Sequence, residues 1–201
     1  VIFDEAQMLP LPHLKPCVAA MASLAEQFRS TVVLCTATQP SLDDLMKDFA
    51  PKHPVTELCP QTVRLQESFR RVTFRKAGGL GDDMLAQELQ EHSQVLCIVN
   101  SRKAAQRIFE RLPQEGSFHL STLMIPVQRQ KILEEIRERL KAGLPCRVVS
   151  TSLIEAGVDV DFPAVYREMA GLDSVLQAAG RCNREGKRSA DESIVTIFER
   201  E

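Results

Sequence analysis

Short apolar segments rich in β-branched residues alternate with longer amphipathic segments along most of this chain of 201 residues. Residues 95–99, 147–150 and 165–168 have the composition of buried strands, whereas residues 103–112 and 126–140 carry apolar side chains at helical spacing. Further strands are predicted at 119–123 and 193–198, and further helices at 82–91 and 175–179. Strands that alternate with helices favour a mainly parallel sheet with helices on both faces. Ligands bind such sheets at the carboxyl ends of the strands, so residues that follow a strand are the first candidates for function.

A proline-rich stretch divides the sequence into two regions. Four prolines lie between residues 39 and 71, at positions 40, 51, 54 and 60, and the second half of this stretch is typical of a connection between domains. We therefore predict two α/β domains, with residues 1–65 forming the end of a first domain and the connection, and residues 66–201 forming a second. The chain begins on Val1 within an apolar strand rather than on Met, so we expect further sequence upstream in the same protein.

The composition is that of a globular protein, with 44% hydrophobic and 26% charged residues and a net charge of −2 at pH 7. That balance gives no overall basic field, so any phosphate contacts must come from a local patch. The sequence contains no apolar run of the roughly 20 residues that span a bilayer, and no membrane partner is expected. The six cysteines form no CxxC pair, which argues against a metal site and for a reducing cytoplasm. Cys35 and Cys97 lie in apolar runs and are predicted to be core residues.

Polar residues follow two strands of the first region. Asp4 and Glu5 come directly after the opening apolar residues, where one carboxylate can hold Mg²⁺ through its waters and the next can activate the water that attacks a γ-phosphate. Two acids after a strand can equally form an ordinary loop. Thr36 and Thr38 follow the β-rich run 31–34 and can likewise form a turn that satisfies its own backbone.

Two arginines near the end of the chain, Arg181 and Arg184, stand three residues apart. We predict that they lie near one face of a helical turn. Such a pair can bind phosphate oxygens bidentately across a cleft. Cations at the end of a helix also interact favourably with its dipole, so a purely structural role stays open.

The order of these features resembles motifs II, III, V and VI of superfamily-two helicases. The corresponding segments read DEAQ at 4–7, TAT at 36–38, VVSTSLIEAGVD at 148–159 and QAAGRCNREG at 177–186. The run from 148 to 186, with GLDS at 171–174, more closely resembles the CRISPR-associated helicase/nuclease of type I systems. Phe3 before the acids, and Leu120-Ser121-Thr122 followed by Pro126 and Arg129, fit the same family. The resemblance covers nearly the whole chain.

The resemblance implies tandem RecA-like domains, the first truncated at its amino end, that clamp ATP and Mg²⁺ between them and pull single-stranded DNA 3′ to 5′ across their tops. It implies an ATP-dependent translocase or helicase of antiviral defence in the cytoplasm. Its expected partners are single-stranded DNA, the RNA-guided CRISPR surveillance complex and a nuclease domain outside this chain.

Residue roles follow from the same resemblance. Asp4 would organise Mg²⁺ through water, Glu5 would activate the attacking water, and Thr36 with Thr38 would couple hydrolysis to domain movement. The residues expected to serve the nucleotide from the second domain are Gly157, Asp159, Gln177, Arg181 and Arg184, with the two arginines facing Asp4 across the cleft. The residues expected to hold DNA phosphates without reading bases are Ser101, Arg102, Ser121, Thr122 and Thr151. Ser and Thr at strand-to-helix junctions also favour helix N-caps, which leaves a structural role open for Ser101 and Thr122.

The phosphate-binding loop of the family is expected upstream of Asp4. The glycines at 78, 79 and 81 do not replace it, because no Lys-Ser/Thr pair follows them. The chain by itself is therefore expected to bind ATP poorly and to hydrolyse it negligibly. Two alternatives remain: another superfamily-two helicase acting on DNA or RNA, and a non-catalytic fragment that binds nucleic acid or protein.

Overall fold

The computed structural model describes residues 1–36, 47–48, 55–59, 69–154 and 158–201. The chain divides into two compact units, Val1–Leu65 and Gln66–Glu201, called unit 1 and unit 2 below. Two of the candidate residues, Thr38 and Gly157, lie outside the described residues. In the part of the chain that is described, no helix has both the length and the apolar character needed to cross a membrane.

The described part of unit 1 contains a two-stranded parallel sheet and one long helix. Strand β1 (Ile2–Phe3) pairs with β2 (Val33–Leu34), and helix α1 (Leu14–Glu26) connects them after two 3-10 turns at Ala6–Met8 and Leu11–His13. This is the strand, helix, strand order that the sequence predicts for its first 34 residues. The helix buries Val18, Met21 and Ala22, which recur at helical spacing.

Unit 2 is built on a six-stranded sheet in which every pairing is parallel, in the order β3-β8-β7-β4-β6-β5. Its strands are β3 (Thr73–Leu80), β4 (Gln94–Ile98), β5 (Ser117–Leu120), β6 (Cys146–Ser150), β7 (Ala164–Glu168) and β8 (Ile194–Arg200). The central strand β4 is buried at every position. Burial on both faces is what a parallel sheet covered by helices requires.

Among the described residues of unit 2, four α-helices cover this sheet, and its two faces form separate apolar clusters. The helices are α2 (Asp82–Gln90), α3 (Arg102–Phe109), α4 (Pro126–Lys141) and α5 (Leu172–Ala179). Val95 and Cys97 of β4 belong to the cluster with α2 and α3, whereas Leu96 and Ile98 belong to the cluster with α4 and α5. Successive strand residues point to opposite faces, so β4 serves both clusters. The predicted fold class, a mainly parallel α/β sheet with helices on both faces, is confirmed.

Strand β3 is not predicted by the sequence. It contains Gly78 and Gly79, and its register against β8 shifts between Lys76 and Gly78. Glycine and lysine are depleted in strands, so this segment becomes a strand only through its pairing with β8.

Two local expectations are wrong. Strand β5 ends at Leu120 instead of continuing to Leu123, whose side chain is 76% exposed. Cys35 is exposed, whereas Cys97 is a buried core residue as predicted. Apolar composition alone does not distinguish the end of a strand from the loop that follows it.

Candidate functional site

Asp4 and Glu5 lie directly after β1, at the carboxyl end of the small sheet in unit 1. Cys35 donates its backbone N–H to the Phe3 carbonyl at 2.8 Å, and Ala6 donates to the Cys35 carbonyl at 3.1 Å, so the two chain segments stay side by side beyond the strands. Glu5 has a left-handed backbone, with φ of 53°, and donates its N–H to Asp4 Oδ1 at 3.0 Å. Both acidic residues are exposed.

Gln7 joins Glu5 to Thr36. Its side-chain amide donates a hydrogen bond to Glu5 Oε2, and the Thr36 hydroxyl donates one to Gln7 Oε1. The acidic segment and the threonine segment, which are 29 residues apart, therefore share one side chain. The sequence places Gln7 inside the DEAQ segment but gives it no role, because this contact depends on the pairing of β1 with β2.

The acidic residues suit a cation that keeps most of its waters. Mg²⁺ is usually bound through one or two carboxylates together with waters and substrate phosphates, and Asp4 presents an exposed carboxylate of this kind. The described residues contain no group of three or more His, Cys, Asp or Glu side chains that could enclose a metal ion. Asp4 and Glu5 can therefore supply one or two carboxylate contacts of the kind that a hydrated cation uses.

Arg181 and Arg184 do not share a face of a helical turn, which corrects the prediction. Helix α5 ends at Ala179, and Gly180 follows as its C-cap. The chain then forms an isolated parallel bridge between Phe162 and Cys182. This bridge takes the backbone out of helical geometry, and the two arginines enter different surroundings.

The surroundings of the two arginines differ in burial and in partner. Arg181 is buried, and its Nε donates to the Ile154 carbonyl at 3.1 Å. Arg184 is exposed, and its Nε donates to Asp159 Oδ1 at 2.8 Å. The structure thus brings Arg184 together with Asp159, another candidate nucleotide residue, and brings Arg181 to the turn that follows β6.

Asn183 is a buried residue of the arginine segment that sequence reasoning misses. Its φ is 48°, a left-handed conformation that asparagine tolerates better than most residues. Its Nδ2 donates to the carbonyls of Arg71 and Arg188 at 2.9 and 2.7 Å, and its Oδ1 accepts from the Arg188 N–H at 3.0 Å. The one local signal is an asparagine after a helix end and before a glycine, which is typical of a turn.

Candidate DNA residues in unit 2 follow three adjacent strands. Ile98 of β4 and Leu120 of β5 both pair with Ser150 of β6. Residues that come after these positions therefore lie at the same, carboxyl edge of the sheet. The candidates placed there are Ser101, Arg102, Ser121, Thr122 and Thr151.

These candidates differ in burial and in hydrogen bonding. Ser101 is the N-cap of α3, since its Oγ accepts from the Ala104 N–H at 3.2 Å. Ser121 and Thr151 are buried, and Ser121 Oγ accepts from the Leu123 N–H at 3.3 Å. Arg102 and Thr122 are exposed. The structure therefore contains the capping role that the sequence left open for Ser101. Among the nucleotide candidates, Gln177 lies half-buried on α5.

A second unpredicted network lies at this edge. Asn100 donates its N–H to Glu168 Oε2 at 2.7 Å and its Nδ2 to the Met169 carbonyl at 2.8 Å. The buried Arg167 donates to Asn100 Oδ1 at 2.7 Å. These bonds tie the end of β4 to the end of β7 and so fix the backbone from which Ser101 begins α3.

Comparison with known proteins finds similar sequences and structures. A family model described as CRISPR-associated nuclease/helicase Cas3, C-terminal, matches residues 91–187. The CRISPR-associated nuclease/helicase Cas3 of Methanothermobacter thermautotrophicus is 34% identical over 122 residues, which cover 58% of this chain and 15% of that protein. The CRISPR-associated helicase Cas3 of Thermoproteus tenax is 26% identical over 202 residues, which cover 100% of this chain and 32% of that protein. The chain thus spans less than a third of the length of these curated relatives.

Solved structures share the fold at low sequence identity. The crystal structure of T. fusca Cas3-ADP superposes with a TM-score of 0.74 at 18% identity, covering 100% of this chain and 30% of that one. The Mycobacterium smegmatis helicase Lhr bound to ssDNA and AMP-PNP gives 0.64 at 18% identity, covering 99% and 28%. A chain of a CRISPR RNA-guided surveillance complex in a pre-nicking state gives 0.69 at 18% identity, covering 100% and 31%.

The parallel sheet, its helices and these superpositions show a RecA-like fold, which this chain shares with the Cas3 and Lhr structures. The family model and the Cas3 relatives then show that the sequence is similar to that of CRISPR-associated Cas3 proteins, as its motifs suggest.

Proposed function

We propose that this chain supplies part of the ATP-hydrolysing motor of a single-stranded DNA translocase that acts in CRISPR interference. The observation that carries the proposal is the hydrogen-bonded connection from Glu5 through Gln7 to Thr36. A motor needs its hydrolytic acid to be coupled mechanically to a second segment, and this side chain provides a direct connection. The T. fusca Cas3 and M. smegmatis Lhr structures, with ADP and AMP-PNP respectively, add support for a nucleotide ligand.

In unit 1 the two acidic residues have different roles. Asp4 would hold a hydrated Mg²⁺, and Glu5 orients the attacking water and accepts its proton. Bound Mg²⁺ would neutralise charge that develops on the phosphate oxygens. Thr36 and Thr38 transmit the state of this site, Thr36 through its bond to Gln7.

In unit 2 Arg184 supplies positive charge to the phosphoryl group in the transition state. Its side chain is exposed and pairs with the exposed carboxylate of Asp159, so a ligand that arrives from solvent can reach it. Arg181, which is buried against the Ile154 carbonyl, also supplies positive charge, from a fixed position. Gln177 serves the nucleotide as well. Gly157 and Asp159 complete the nucleotide contacts of this unit.

Single-stranded DNA is the proposed polymer, held at the carboxyl edge of the sheet in unit 2. Ser101, Arg102, Ser121, Thr122 and Thr151 offer hydroxyls, a guanidinium and backbone amides that suit phosphates and not bases. The M. smegmatis Lhr structure, with ssDNA, supports this polymer by analogy of fold. The surveillance complex and a nuclease domain are proposed as partners in the cytoplasm, the former because one similar chain belongs to such a complex.

The decisive experiment measures ATP hydrolysis stimulated by single-stranded DNA in the full-length protein that carries this chain. Glu5→Gln and Arg184→Ala are each expected to lower kcat, the arginine variant by about 10³-fold or more, as loss of an arginine finger does. Arg70→Ala is the matched control, because Arg70 is also an exposed arginine paired with an exposed acid, Asp191. Full turnover in both test variants would overturn the proposal.

A second candidate is a superfamily-two helicase that acts outside CRISPR interference, on DNA or RNA. The similarity of fold to Lhr supports this second candidate. Stimulation of hydrolysis by RNA in preference to DNA would select this alternative. In either case we expect negligible hydrolysis by the 201-residue chain alone, because it contains no glycine-rich loop followed by Lys-Ser/Thr.

A further inference from the structure

Asn183 stands between the two arginines, and its side chain is completely buried. Its amide makes three hydrogen bonds, all to backbone groups of Arg71 and Arg188. Arg71 precedes β3 and is 112 residues away along the chain. One side chain therefore connects the segment before β3 to the arginine loop, which we define as residues 180–188.

The peptide groups on both sides of Arg184 are held as well. Its N–H donates to Asp161 Oδ1 at 2.7 Å, and its carbonyl accepts a hydrogen bond from the Arg71 guanidinium. Because Asn183 in turn binds the carbonyl of Arg71, the backbone of Arg184 is linked to Asn183 both through the chain and through Arg71. Asp161, which accepts the Arg184 N–H, also forms an ion pair with Arg188 at 3.2 Å.

We propose that Asn183 is a positioning residue for Arg184, an inference that rests on the proposed motor function. Asn183 touches no nucleotide in this scheme; it fixes the arginine loop against the segment before β3. Removing the amide leaves two backbone carbonyls and one N–H without their buried partner, and the loop is expected to shift. A displacement of about 1 Å at a positioned catalytic group can cost about 100-fold in rate.

A buried amide can also serve stability alone, and Gln94 provides the comparison. Gln94 is buried at the start of β4, and its Nε2 donates to the carbonyls of Arg139, Leu140 and Leu144 at 3.3, 3.3 and 3.1 Å. It lies at the amino end of its strand, whereas the candidate residues lie at the carboxyl edge. Gln94→Ala therefore removes a similar set of bonds without touching the arginine loop.

The test compares Asn183→Ala, Gln94→Ala, Arg184→Ala and the Asn183→Ala/Arg184→Ala double variant in the full-length protein. Unfolding in urea and ATP hydrolysis stimulated by single-stranded DNA are both measured. Asn183→Ala and Gln94→Ala are expected to lower the unfolding midpoint similarly. Of these two variants, only Asn183→Ala should lower kcat, by roughly 10- to 100-fold. In the Arg184→Ala background it should lower kcat no further, because residues that act as a unit are not additive.

A glycine variant keeps the proposal testable if alanine disturbs folding. Asn183→Gly accommodates the left-handed backbone without strain and still removes the amide, so it should lose kcat as well. Unchanged kcat in both Asn183 variants, or an equal loss with and without Arg184, would overturn the positioning role while leaving the motor function in place. If Arg184→Ala itself leaves kcat unchanged, the inference fails because Arg184 has no catalytic role to position. The motor function fails as well only if Glu5→Gln also leaves kcat unchanged.

Discussion

The Nε atom of Arg184 donates a hydrogen bond to Oδ1 of Asp159 at 2.8 Å, and both side chains remain exposed, at 45% and 81%. Ion pairs in such surroundings contribute about 0–1 kcal/mol to stability. The contact therefore defines where Arg184 rests without anchoring it strongly. An arginine held this way can be transferred to a phosphate ligand at small cost.

Two aspartates of the same segment should differ in their effect on stability. Asp159→Ala is expected to change the free energy of unfolding by less than about 1 kcal/mol, because the pair it breaks is exposed. Asp161→Ala should cost about 1–3 kcal/mol, because the 16% exposed Asp161 carboxylate binds both the Arg184 N–H and the Arg188 side chain. Urea unfolding of the protein measures the change in the free energy of unfolding for both variants. Equal changes for Asp159→Ala and Asp161→Ala would contradict this expectation.

Asp82, at the start of α2, should make stability depend on pH. Burial acts to raise the pKa of Asp82, but the hydrogen bond and charge of Arg107, together with Arg200, outweigh it and hold the pKa below its usual value of 3.8. Stabilisation from this carboxylate is then present above its unfolded pKa and is lost as pH falls through the lower folded pKa. Asp82→Asn is expected to lower the free energy of unfolding by about 1–2 kcal/mol at pH 7, with the deficit shrinking below pH 4.

The neighbouring Asp83 provides the control for that titration. It pairs with Arg111 but is 90% exposed, against 15% for Asp82. Asp83→Asn should therefore change stability by only a few tenths of a kcal/mol, because its ion pair is exposed. Chemical unfolding at pH 7, 5 and 3.5 distinguishes the two variants. A deficit for Asp82→Asn that persists unchanged at the lowest pH would contradict the assigned cause.

Gly116, before β5, should tolerate no side chain. Its φ is 72°, and a Cβ added there would lie 2.5 Å from the Pro145 carbonyl oxygen, whereas Gly143, with a φ of 68°, has open space at that position. Both substitutions by alanine carry the cost of a left-handed backbone, about 1–2 kcal/mol. Gly116→Ala should cost more, because the clash also disturbs the 2.7 Å bond from the Arg147 N–H to the Gly116 carbonyl that aligns β5 with β6. Equal unfolding midpoints for the two variants would refute the clash.

Much of unit 2 can be predicted from sequence because the signals are local. Helix α4 begins at Pro126 as predicted and ends at Lys141, one residue beyond the prediction. Proline at the first helical position and apolar residues at helical spacing both act over one or two turns. The continuous apolar run of β4 likewise predicts a buried strand without reference to any other part of the chain. Strand β3 has no such signal, and only its pairing with β8 makes it part of the sheet.

The sequence by itself determined the parallel α/β class, most of the strands and helices of unit 2, and the order of the motif residues. Tertiary structure alone decided that Arg181 is buried on Ile154 while Arg184 lies exposed on Asp159, although both are arginines of one short segment. It also decided that Asn183 is buried beneath a segment 112 residues away. The physical reason is range: periodicity and capping depend on neighbours within a few residues, whereas burial and hydrogen-bond partners depend on segments that only the folded chain brings together.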